Sequence, residues 1–573
     1  MMRTALPLGL LMLGACARIG EPAASSAGAT APVATLQIIA FNDFHGHIDT
    51  TDQTALPPGA LADAPRVNAG GAIHFAQAIE RLRADNAHSA VVSAGDMIGA
   101  SPLISGHFLD EPTIRVMNMV EIDFNAVGNH EFDRGADELE RMQSGGCEKY
   151  TKLEPCQVMA DFGGADFRFL AANVLRPDGT TFFPAFGIKR FDVGGASVGV
   201  GFAGITLEGT PEIVALSAAA SLRFMDEAET ANALVPALRE AGADVLVLLI
   251  HEGGYMKPEG DRGDCGSMAG PLPDILARLD PAFDLVISGH THQAYICHYG
   301  AADPQRPFLA TSAGQYGTLL TRITLDYDLG AGKLIDKQAE NILVDQLPHA
   351  GERQPAIAAL VERYRLAAAD VRERAVGTLA GPLTPLADAS GQSSLGNFIA
   401  DAQLAVTRAP ERGGAQIAFM NRGGLRAPIM PMASGEVLFG DLYSAQPFGN
   451  VVLVKQLTGS QIRAALEQQF TRGALPSILS VSEGFSYAFD TSRPAGERVF
   501  DIRLSGEPVS PQANYRVALN NFIAQGGDGF KMFAQAPLLA EGPVDVEALE
   551  AYIAGESGRA APALDRIRNV TPP

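Results

Sequence analysis

The stretch Gly128-Asn129-His130-Glu131-Phe132-Asp133 sets an amide, an imidazole and a carboxylate one after another, directly behind the apolar run 124–127. A short apolar run of this kind predicts a buried strand, so the polar groups stand at the end of that strand. Side chains at this end of a parallel α/β sheet face a ligand. Packing alone gives no reason for three polar groups there, and we interpret the stretch as part of a functional site.

The same arrangement recurs along the first half of the chain. Five short apolar runs each end on residues able to bind a metal, and they cover residues 36–41, 90–94, 124–127, 245–250 and 285–288. The polar residues that follow these runs are Asn42, Asp43 and His45, then Asp96, then Asn129 and His130, then His251, and finally His290 and His292. Because the carboxyl ends of parallel strands lie on one edge of a sheet, we expect these side chains to converge.

Two pairs of these residues are spaced two positions apart. Asp43 precedes His45 at this spacing, and His290 precedes His292. In an extended segment, residues two apart point to the same face. We therefore predict that each pair presents both of its side chains to the same face.

Taken together, these motifs resemble those of the calcineurin-like metallophosphoesterases. The motifs are Asn42-Asp43-x-His45, Gly95-Asp96, the stretch 128–133 and Gly289-His290-Thr291-His292, with a lone His251 between the last two. With motifs of the second half, their order resembles the bacterial periplasmic 5′-nucleotidase and UDP-sugar hydrolase family, over roughly residues 36–567. The resemblance implies a mixed α/β (α+β) chain, with an N-terminal four-layer metallophosphoesterase β-sandwich flanked by helices, a linker helix and a smaller C-terminal α/β domain.

The resemblance also implies a pair of divalent metal ions. Nitrogen and oxygen ligands without thiolates suit Zn, Mn or Co. Asp96 suits the bridging position between the two ions. The other ligands that the resemblance implies are Asp43, His45 and His292 for one ion, and Asn129, His251 and His290 for the other.

His130 and Asp133 are the candidate catalytic pair. Their three-residue spacing brings the Asp133 carboxylate within reach of the His130 ring if a helix starts there. The carboxylate would then fix the tautomer of the ring and support its cationic form. His130 would stabilise the phosphoryl oxygens in the transition state or protonate the leaving group, and the sequence leaves both roles open.

Three motifs in the second half resemble the nucleotide-binding motifs of the family. They are Asn421-Arg422-Gly423-Gly424-Leu425-Arg426, Pro447-Phe448-Gly449-Asn450, and Asn521-Phe522 followed by Gly526-Gly527-Asp528-Gly529. Phe448 and Phe522 are candidates to hold a base between two aromatic rings. Asp528 would accept hydrogen bonds from the ribose, and Arg426 would contact phosphate oxygens. The remaining substrate-binding candidates are Asn421, for the sugar or base, and Asn450.

One segment departs from the family pattern. Residues 389–397 read Ala-Ser-Gly-Gln-Ser-Ser-Leu-Gly-Asn, where the family typically has an arginine and a glutamate. An arginine contact to the substrate is therefore missing there, and Arg422 or Arg408 could replace it. The departure bears on which substrate is bound more than on the reaction.

Composition and charge exclude one class of partner. The 573 residues are 47% hydrophobic and 19% charged, as in a globular protein of several domains, and the formal net charge is −22. A nucleic-acid polymer needs a basic track that this chain does not show, so we do not expect such a partner. The substrate that the resemblance implies is a small nucleotide. Two divalent ions in a cleft outweigh a diffuse acidic surface that is screened within about 8–10 Å.

The N-terminus predicts export. Residues 1–16 contain one basic residue, a short apolar stretch and Cys16, as in a secretory signal with a lipoprotein-like processing site. A lipid at Cys16 would tether the protein to the outer membrane from the periplasm, whereas an ordinary cleaved signal would leave it free in the periplasm. Residues 17–33 are expected to be a flexible tether. Four further cysteines favour two disulfides, most simply Cys147 with Cys156 and Cys265 with Cys297.

The chain then divides into a metallophosphoesterase domain at 34–345, a linker helix at 346–375 and a nucleotide-binding domain at 376–567. We expect hydrolysis of a 5′-nucleotide to a nucleoside and phosphate, by a hydroxide that the metals activate. Alternatives with the same metals are a 2′,3′-cyclic nucleotide phosphodiesterase and 3′-nucleotidase, a UDP-sugar hydrolase, and a hydrolase of carrier-bound thiosulfonate. An alternative of another class is a catalytically silent periplasmic nucleotide-binding protein.

Overall fold

The structure is a computed structural model that describes residues 32–49, 53–58, 64–214, 219–256, 263, 265–347, 354–471 and 476–572. The predicted signal with Cys16, and the predicted tether up to residue 31, lie outside these described residues. The first strand begins at Val33, one residue ahead of the predicted domain start. Among the described residues, no helix combines the length and the apolar character that a membrane crossing requires.

Twelve strands of the N-terminal domain form two six-stranded sheets. In chain order they are β1 (Val33–Phe41), β2 (Ser89–Ser93), β3 (Phe124–Ala126), β4 (Arg168–Leu170), β5 (Phe186–Val193), β6 (Ala196–Ile205), β7 (Val245–Ile250), β8 (Leu285–Ser288), β9 (Ala294–His298), β10 (Leu309–Ala313), β11 (Leu319–Asp328) and β12 (Lys333–Leu343). The first sheet has the order β12-β11-β1-β2-β3-β4, and the second has the order β9-β10-β8-β7-β6-β5. The strands with predicted site residues at their ends run parallel to their neighbours in the centre of each sheet.

The two sheets pack face to face, so the expectation that all five strands share one sheet edge is wrong. Leu36 and Ile38 of β1 share one core with Val245 and Val247 of β7. Alternate residues point outward, where Ile39 and its neighbours meet a layer of helices. Strands buried on both faces read as continuous apolar runs, and such runs do not reveal to which sheet they belong.

Helices of the N-terminal domain cover the outer faces of its two sheets and form the remaining layers. The labelled α-helices are distributed over both domains. In chain order they are α1 (Ala72–Asp85), α2 (Leu103–Gly106), α3 (Glu111–Val120), α4 (Ala136–Ser144), α5 (Glu227–Glu240), α6 (Leu272–Arg278), α7 (Pro355–Arg372), α8 (Ser394–Thr407), α9 (Phe439–Ala445), α10 (Gly459–Glu467), α11 (Asn521–Ala524), α12 (Lys531–Ala534) and α13 (Asp545–Ala554). Helices α1, α3, α4 and α7 bury apolar faces on the first sheet, and α5 and α6 do so on the second. The four-layer mixed α/β prediction is confirmed.

Helix α7 occupies the predicted linker. It buries Ile357, Leu360 and Tyr364 in the core of the first sheet, so its packing attaches it to the N-terminal domain. Ala375 was expected to close this helix, but it opens a strand, Ala375–Thr378, that pairs with Glu436–Leu438 of the second domain. The helix ends at Arg372 because the chain needs an extended conformation to enter that pairing.

Besides the two-stranded pair of Ala375–Thr378 with Glu436–Leu438, the described part of the C-terminal domain contains two larger sheets. Its labelled strands are β13 (Ile417–Met420), β14 (Val451–Thr458), β15 (Ser480–Val481), β16 (Phe485–Phe489), β17 (Val499–Leu504), β18 (Glu507–Pro508), β19 (Asn514–Asn520), β20 (Leu538–Val544) and β21 (Ile567–Asn569). The larger sheet has the order β15-β13-β19-β14-β20, and the smaller has the order β18-β17-β16-β21. The last strand runs to Asn569, two residues beyond the predicted domain end.

Local sequence signals account for several of these elements. The Thr458 side chain accepts a hydrogen bond from the Gln461 N–H and opens α10 with a capping box, as the sequence Thr458-Gly459-Ser460-Gln461 favours. The motif 526–529 has positive φ at Gly526 (105°) and Gly529 (77°), which glycine adopts without strain. Both predicted disulfides, Cys147–Cys156 and Cys265–Cys297, are present.

Candidate metal and substrate site

Two groups of side chains meet at the carboxyl ends of the central strands. In each group, one nitrogen or oxygen atom per residue lies within 4.8 Å of the others, and the groups are Asp43, His45 and His292, and Asp96, His251 and His290. Asp96 Oδ2 lies 3.0 Å from His251 Nε2 and 3.6 Å from His45 Nε2. The Asp96 carboxylate therefore faces both groups.

The seventh predicted ligand, Asn129, adjoins the second group. Its Oδ1 lies 3.1 Å from His251 Nε2. In the first group, His292 Nε2 lies 3.3 Å from Asp43 Oδ1 and 3.2 Å from His45 Nε2. The structure therefore brings all seven predicted metal ligands together, although they come from five strand ends in two sheets.

The backbone reaches this arrangement through left-handed turns. Five of the seven predicted ligands have positive φ, namely Asp43 (50°), His45 (47°), Asp96 (51°), His290 (68°) and His292 (58°). These turns are not the extended segments that the spacing argument assumed. Asp43 and His45 nevertheless reach one group, whereas His290 and His292 point into different groups, so the prediction for the second pair is wrong. Left-handed residues other than glycine cost about 1–3 kcal/mol each and cluster at functional sites, where the surrounding structure holds them.

Main-chain carbonyls orient two of the imidazoles. His251 Nδ1 lies 2.8 Å from the Ala94 carbonyl oxygen, and His45 Nδ1 lies 2.9 Å from the Gly99 carbonyl oxygen. A carbonyl only accepts, so each Nδ1 carries the proton and donates it. The Nε2 lone pairs then point to the centre of the site, as metal ligation requires.

The charges of the site favour a cation at its centre. Burial opposes a charge on His251, but the carboxylates of Asp96 and Asp43 outweigh burial and raise the pKa of His251 to about 10. Burial lowers the pKa of His290 to about 3, so this imidazole is neutral at physiological pH. Divalent ions would supply the positive charge that the carboxylates favour, and the imidazoles would then bind as neutral ligands. The oxygen and nitrogen donors of the two groups therefore fit divalent ions.

His130 lies beside the two groups at the edge of the cleft. It opens a 3-10 turn, His130–Phe132, which places its Nδ1 2.9 Å from Asp133 Oδ2. Its main-chain N–H donates to Asp96 Oδ1 at 2.8 Å. Burial lowers the pKa of His130, but the charges of Asp133 and Asp96 overcome that effect and raise it. The turn thus supports the cationic form of a ring that is 14% exposed.

The second domain closes over this ring. Phe448 stacks on His130 with ring centroids 5.6 Å apart and an interplanar angle of 18°. The guanidinium of Arg426 lies 5.8 Å from the centre of the Phe448 ring. His47 is a half-buried neighbour of the first group, and its pKa is lowered to about 3. Burial is the largest cause, and the positive charge of Arg426 is the next. Two of the predicted substrate residues therefore reach the predicted metal site.

The other predicted substrate residues lie within the second domain. Asn421 is 2% exposed; its Nδ2 donates to Asp528 Oδ2 at 2.8 Å, and its Oδ1 accepts from Asn520 at 2.9 Å. Both ends of this amide are occupied, so Asn421 positions Asp528. The half-buried ring of Phe522 packs beside the domain core. The main-chain carbonyl of Asn450 accepts from the Asp545 N–H at 2.7 Å.

The segment 389–397, which differs from the family pattern, is anchored within the second domain. Gln392 is fully buried, and its Nε2 donates to the Ile567 carbonyl at 3.0 Å, which ties the segment to the last strand. Arg408 and Arg422, the two suggested replacements, are both exposed. Arg426 is half-buried and acts on the imidazoles of the site, so it is the stronger candidate for a contact to the substrate phosphate.

Comparison with known proteins covers both halves of the chain. Residues 36–294 match the calcineurin-like phosphoesterases, and residues 375–535 match the 5′-nucleotidase C-terminal domain. Cell wall protein Lmo0130 of Listeria monocytogenes is 30% identical over 573 residues, which cover 95% of this chain and 69% of that protein. The chain belongs to the 5′-nucleotidase family.

Two further comparisons show how much of each chain is shared between this 5′-nucleotidase-family chain and its relatives. Endonuclease YhcR of Bacillus subtilis is 29% identical over 524 residues, which cover 90% of this chain but 39% of YhcR. This chain therefore spans well under half the length of that relative. The solved structure of a 5′-nucleotidase precursor from Thermus thermophilus has a TM-score of 0.73 and 25% identity, over 94% of this chain and 100% of that one.

Sequence reasoning assigned no role to Glu131, which the structure places behind the metal-ligand loops. The Glu131 carboxylate accepts hydrogen bonds from the N–H groups of Met97 (2.7 Å), Gly128 (2.7 Å) and Asp96 (2.9 Å). Burial and the nearby Asp96 charge raise the pKa of Glu131 to about 7. The side chain thus joins the loop after β2 to the loop after β3. The position of Glu131 within the motif 128–133 was the sequence signal that could have identified this role.

Replacing Glu131 by alanine is expected to lower metal affinity about 10–100-fold, because three N–H groups would lose the acceptor that fixes the ligand loops. Competition with a chelator measures the affinity. Glu121→Gln, at an exposed position of the same domain, is the control and is expected to leave affinity unchanged. Unchanged metal binding in Glu131→Ala would contradict this role.

Tyr316 is a second residue that sequence reasoning missed. Its backbone is left-handed with φ of 60°, and its N–H donates to the Asp43 carbonyl at 2.7 Å. Its ring stacks on His47 with centroids 3.9 Å apart and meets His292 edge-on at 5.6 Å. Tyr316 therefore forms one wall of the first group. It lies on the loop after β10, outside every quoted motif, so no sequence signal marked it.

Proposed function

We propose that this chain is a phosphoric monoester hydrolase that converts a 5′-nucleotide to a nucleoside and inorganic phosphate. The observation that carries the proposal is the single carboxylate of Asp96, which faces two groups of nitrogen and oxygen ligands beside His130. Phe448, from the domain with the nucleotide-binding motifs, stacks on that same ring. The ring proposed to act on a phosphate and the ring proposed to hold a base thus lie side by side.

The seven predicted ligands would hold two divalent ions, with Asp96 between them. When bound, the ions neutralise phosphate charge and lower the pKa of water so that it becomes a nucleophile near neutral pH. The fixed tautomers of His45 and His251 favour this ligation. The absence of a thiolate among the ligands favours Zn, Mn or Co.

His130 and Arg426 would act on the phosphate from the other side. The carboxylate of Asp133 keeps the proton on His130, which then donates to a phosphoryl oxygen or to the departing nucleoside oxygen. Arg426 offers planar N–H donors that match a pair of phosphate oxygens. Its Nη2 is buried without a hydrogen-bond partner among the described residues, which leaves a donor for the substrate.

The nucleoside would be held by the second domain. Phe448 and Phe522 offer aromatic faces, and stacking contributes about 1–3 kcal/mol per base without selecting a base edge. Asp528, held by Asn421, would accept hydrogen bonds from the ribose hydroxyls.

We also propose that the protein is exported to an oxidising compartment. The two disulfides suit an exported protein, and one relative carries the name cell wall protein. We propose a periplasmic location, with an outer-membrane anchor if Cys16 is lipidated.

A substrate panel tests the proposed function. The chain is stripped of metal with a chelator and assayed with AMP, a 2′,3′-cyclic nucleotide and a UDP-sugar, with Zn, Mn or Co added back. We expect hydrolysis of AMP to adenosine and phosphate to need metal and to be faster than hydrolysis of the other two, whose mononucleotide and sugar phosphate products are separated by chromatography. Faster hydrolysis of either of these would select the corresponding alternative, and nucleotide binding without turnover would select a binding protein.

Phe448→Ala is expected to raise the KM for AMP about 10-fold or more, because the stacked face is lost. The small aryl ester p-nitrophenyl phosphate has no base, and its kcat/KM should change less than about threefold. Phe500→Ala, at a half-buried phenylalanine in β17, is the matched control. Equal losses for both substrates would contradict base stacking by Phe448.

A further inference from the structure

Lys455 is a buried lysine in the centre of the second domain. It lies on strand β14 with 7% of its surface exposed. Its Nζ donates to the carbonyl oxygens of Phe533 (2.7 Å), Ala524 (2.8 Å) and Ala534 (3.5 Å). The ammonium group thus has three main-chain acceptors, contributed by two separate segments of the chain.

The acceptors mark the ends of two short helices. Ala524 is the last residue of α11, and Phe533 and Ala534 close α12. The last carbonyls of a helix have no intrahelical partner, and a cation at that end is favoured. Burial lowers the pKa of Lys455, so the protein gives up hydration of a charged group to form these contacts.

The loop between the two helices carries the predicted nucleoside contacts. Asp528 has a left-handed backbone with φ of 55°, and Gly526 and Gly529 in the same loop also have positive φ. Phe522 lies in α11, and its ring packs so closely on Gly527 that a Cβ there would lie 2.4 Å from a ring carbon. Any movement of α11 against α12 would therefore displace both the ring and the carboxylate.

We propose that Lys455 is a positioning residue for nucleoside recognition. By holding the carboxyl ends of α11 and α12 on one ammonium group, it fixes the spacing of Phe522 and Asp528 and presents them to the base and ribose. The inference rests on the proposed function, because it assumes that these two side chains contact the nucleoside. Lys455 would thus determine substrate affinity without contacting the substrate.

The test is Lys455→Met in the full chain, assayed with AMP and with p-nitrophenyl phosphate. Methionine fills the space but removes the ammonium donor that Ala524, Phe533 and Ala534 share, although the Ala536 N–H still donates to the Phe533 carbonyl at 3.1 Å. We expect the KM for AMP to rise about 10-fold or more, kcat to change less than about threefold, and kcat/KM for p-nitrophenyl phosphate to stay within about twofold. Lys455→Arg, which retains a cation, is expected to recover part of the affinity for AMP.

A control and a double mutant separate positioning from general destabilisation. Lys333→Met makes the same chemical change at an exposed position of β12 and should leave both substrates unaffected. In Lys455→Met combined with Phe522→Ala, the increase in KM should be smaller than the product of the two single increases, because both act through the same contact. If the methionine variant does not fold, Lys455→Gln, which retains one N–H donor group, is compared in the same way.

The outcomes distinguish this inference from the proposed function. If Phe522→Ala raises the KM for AMP and Lys455→Met does not, the positioning role is overturned while the nucleotidase proposal stands. Parallel losses for AMP and p-nitrophenyl phosphate in Lys455→Met also overturn it, since they indicate damage to the whole protein. If the wild-type chain releases no phosphate from AMP, the proposed function itself has failed.

Discussion

Asp96→Asn is expected to reduce phosphate release from AMP about 1,000-fold. The substitution preserves the shape of the side chain but removes a negative charge that faces both ligand groups, 3.0 Å from His251 and 3.6 Å from His45. Two adjacent divalent ions need such a carboxylate between them, so at least one ion should be lost or displaced. The Oδ1 atom that accepts from the His130 N–H would also lose its charge.

Metal content and folding must be measured alongside the rate. Mass spectrometry of the purified variant should give fewer than two metal equivalents per chain, while the melting temperature shows whether the fold persists. Asp178→Asn, at an exposed position, is the matched control and should retain full activity. Undiminished phosphate release by Asp96→Asn would disprove the dimetal mechanism, and the absence of turnover in the wild type would favour a binding protein.

The convergence of the ligands could be predicted because it depends on local signals. An apolar run followed at once by Asp, Asn or His is visible in the sequence, and the ends of parallel strands lie on one edge of their sheet. Asp96 and His251, more than 150 positions apart, were expected to converge on this basis and have side-chain atoms 3.0 Å apart. They follow strands of different sheets, so the face-to-face packing of the two sheets, which the sequence did not reveal, completes the convergence. The motifs of the family supplied the division of the ligands between two ions.

The backbone conformation could not be predicted in this way. His290 and His292 have a spacing that extended chain would place on one face, but positive φ values at both residues send them into different groups. Left-handed residues with side chains are held by tertiary contacts, such as the His290 N–H that donates to Asp43 Oδ2 at 3.0 Å. No pattern of neighbouring residue types encodes such a contact.

Contacts between distant elements were also beyond the sequence. The stacking of Phe448 on His130 joins residues from two domains, and neither motif contains information about the other. Glu131 was visible in its motif, but its three N–H donors belong to loops that only the fold assembles. No sequence signal indicated a role for Lys455. A lysine within an apolar strand pattern is normally interpreted as an exposed residue, and only the structure shows the carbonyl groups that accept its hydrogen bonds.

His130→Gln is expected to reduce phosphate release from AMP about 100–10,000-fold, the range found when a positioned proton donor is removed. Glutamine retains a hydrogen-bonding group but carries no proton to transfer and no positive charge. The main-chain N–H of His130 that donates to Asp96 is retained in this variant, so the bound metal content should remain unchanged. His88→Gln, at a half-buried histidine beside Phe191, is the control and should be fully active.

A comparison of leaving groups decides between the two roles that the sequence left open. The nucleoside 5′-oxygen needs a proton as it departs, whereas nitrophenolate leaves without one. If His130 protonates the leaving group, His130→Gln should lose far less activity on p-nitrophenyl phosphate than on AMP. If it stabilises the phosphoryl oxygens, both substrates should suffer equally, because those oxygens are common to them. Asp133→Asn should show the same substrate pattern with a smaller loss, since it removes the carboxylate 2.9 Å from His130 Nδ1 but leaves the ring in place.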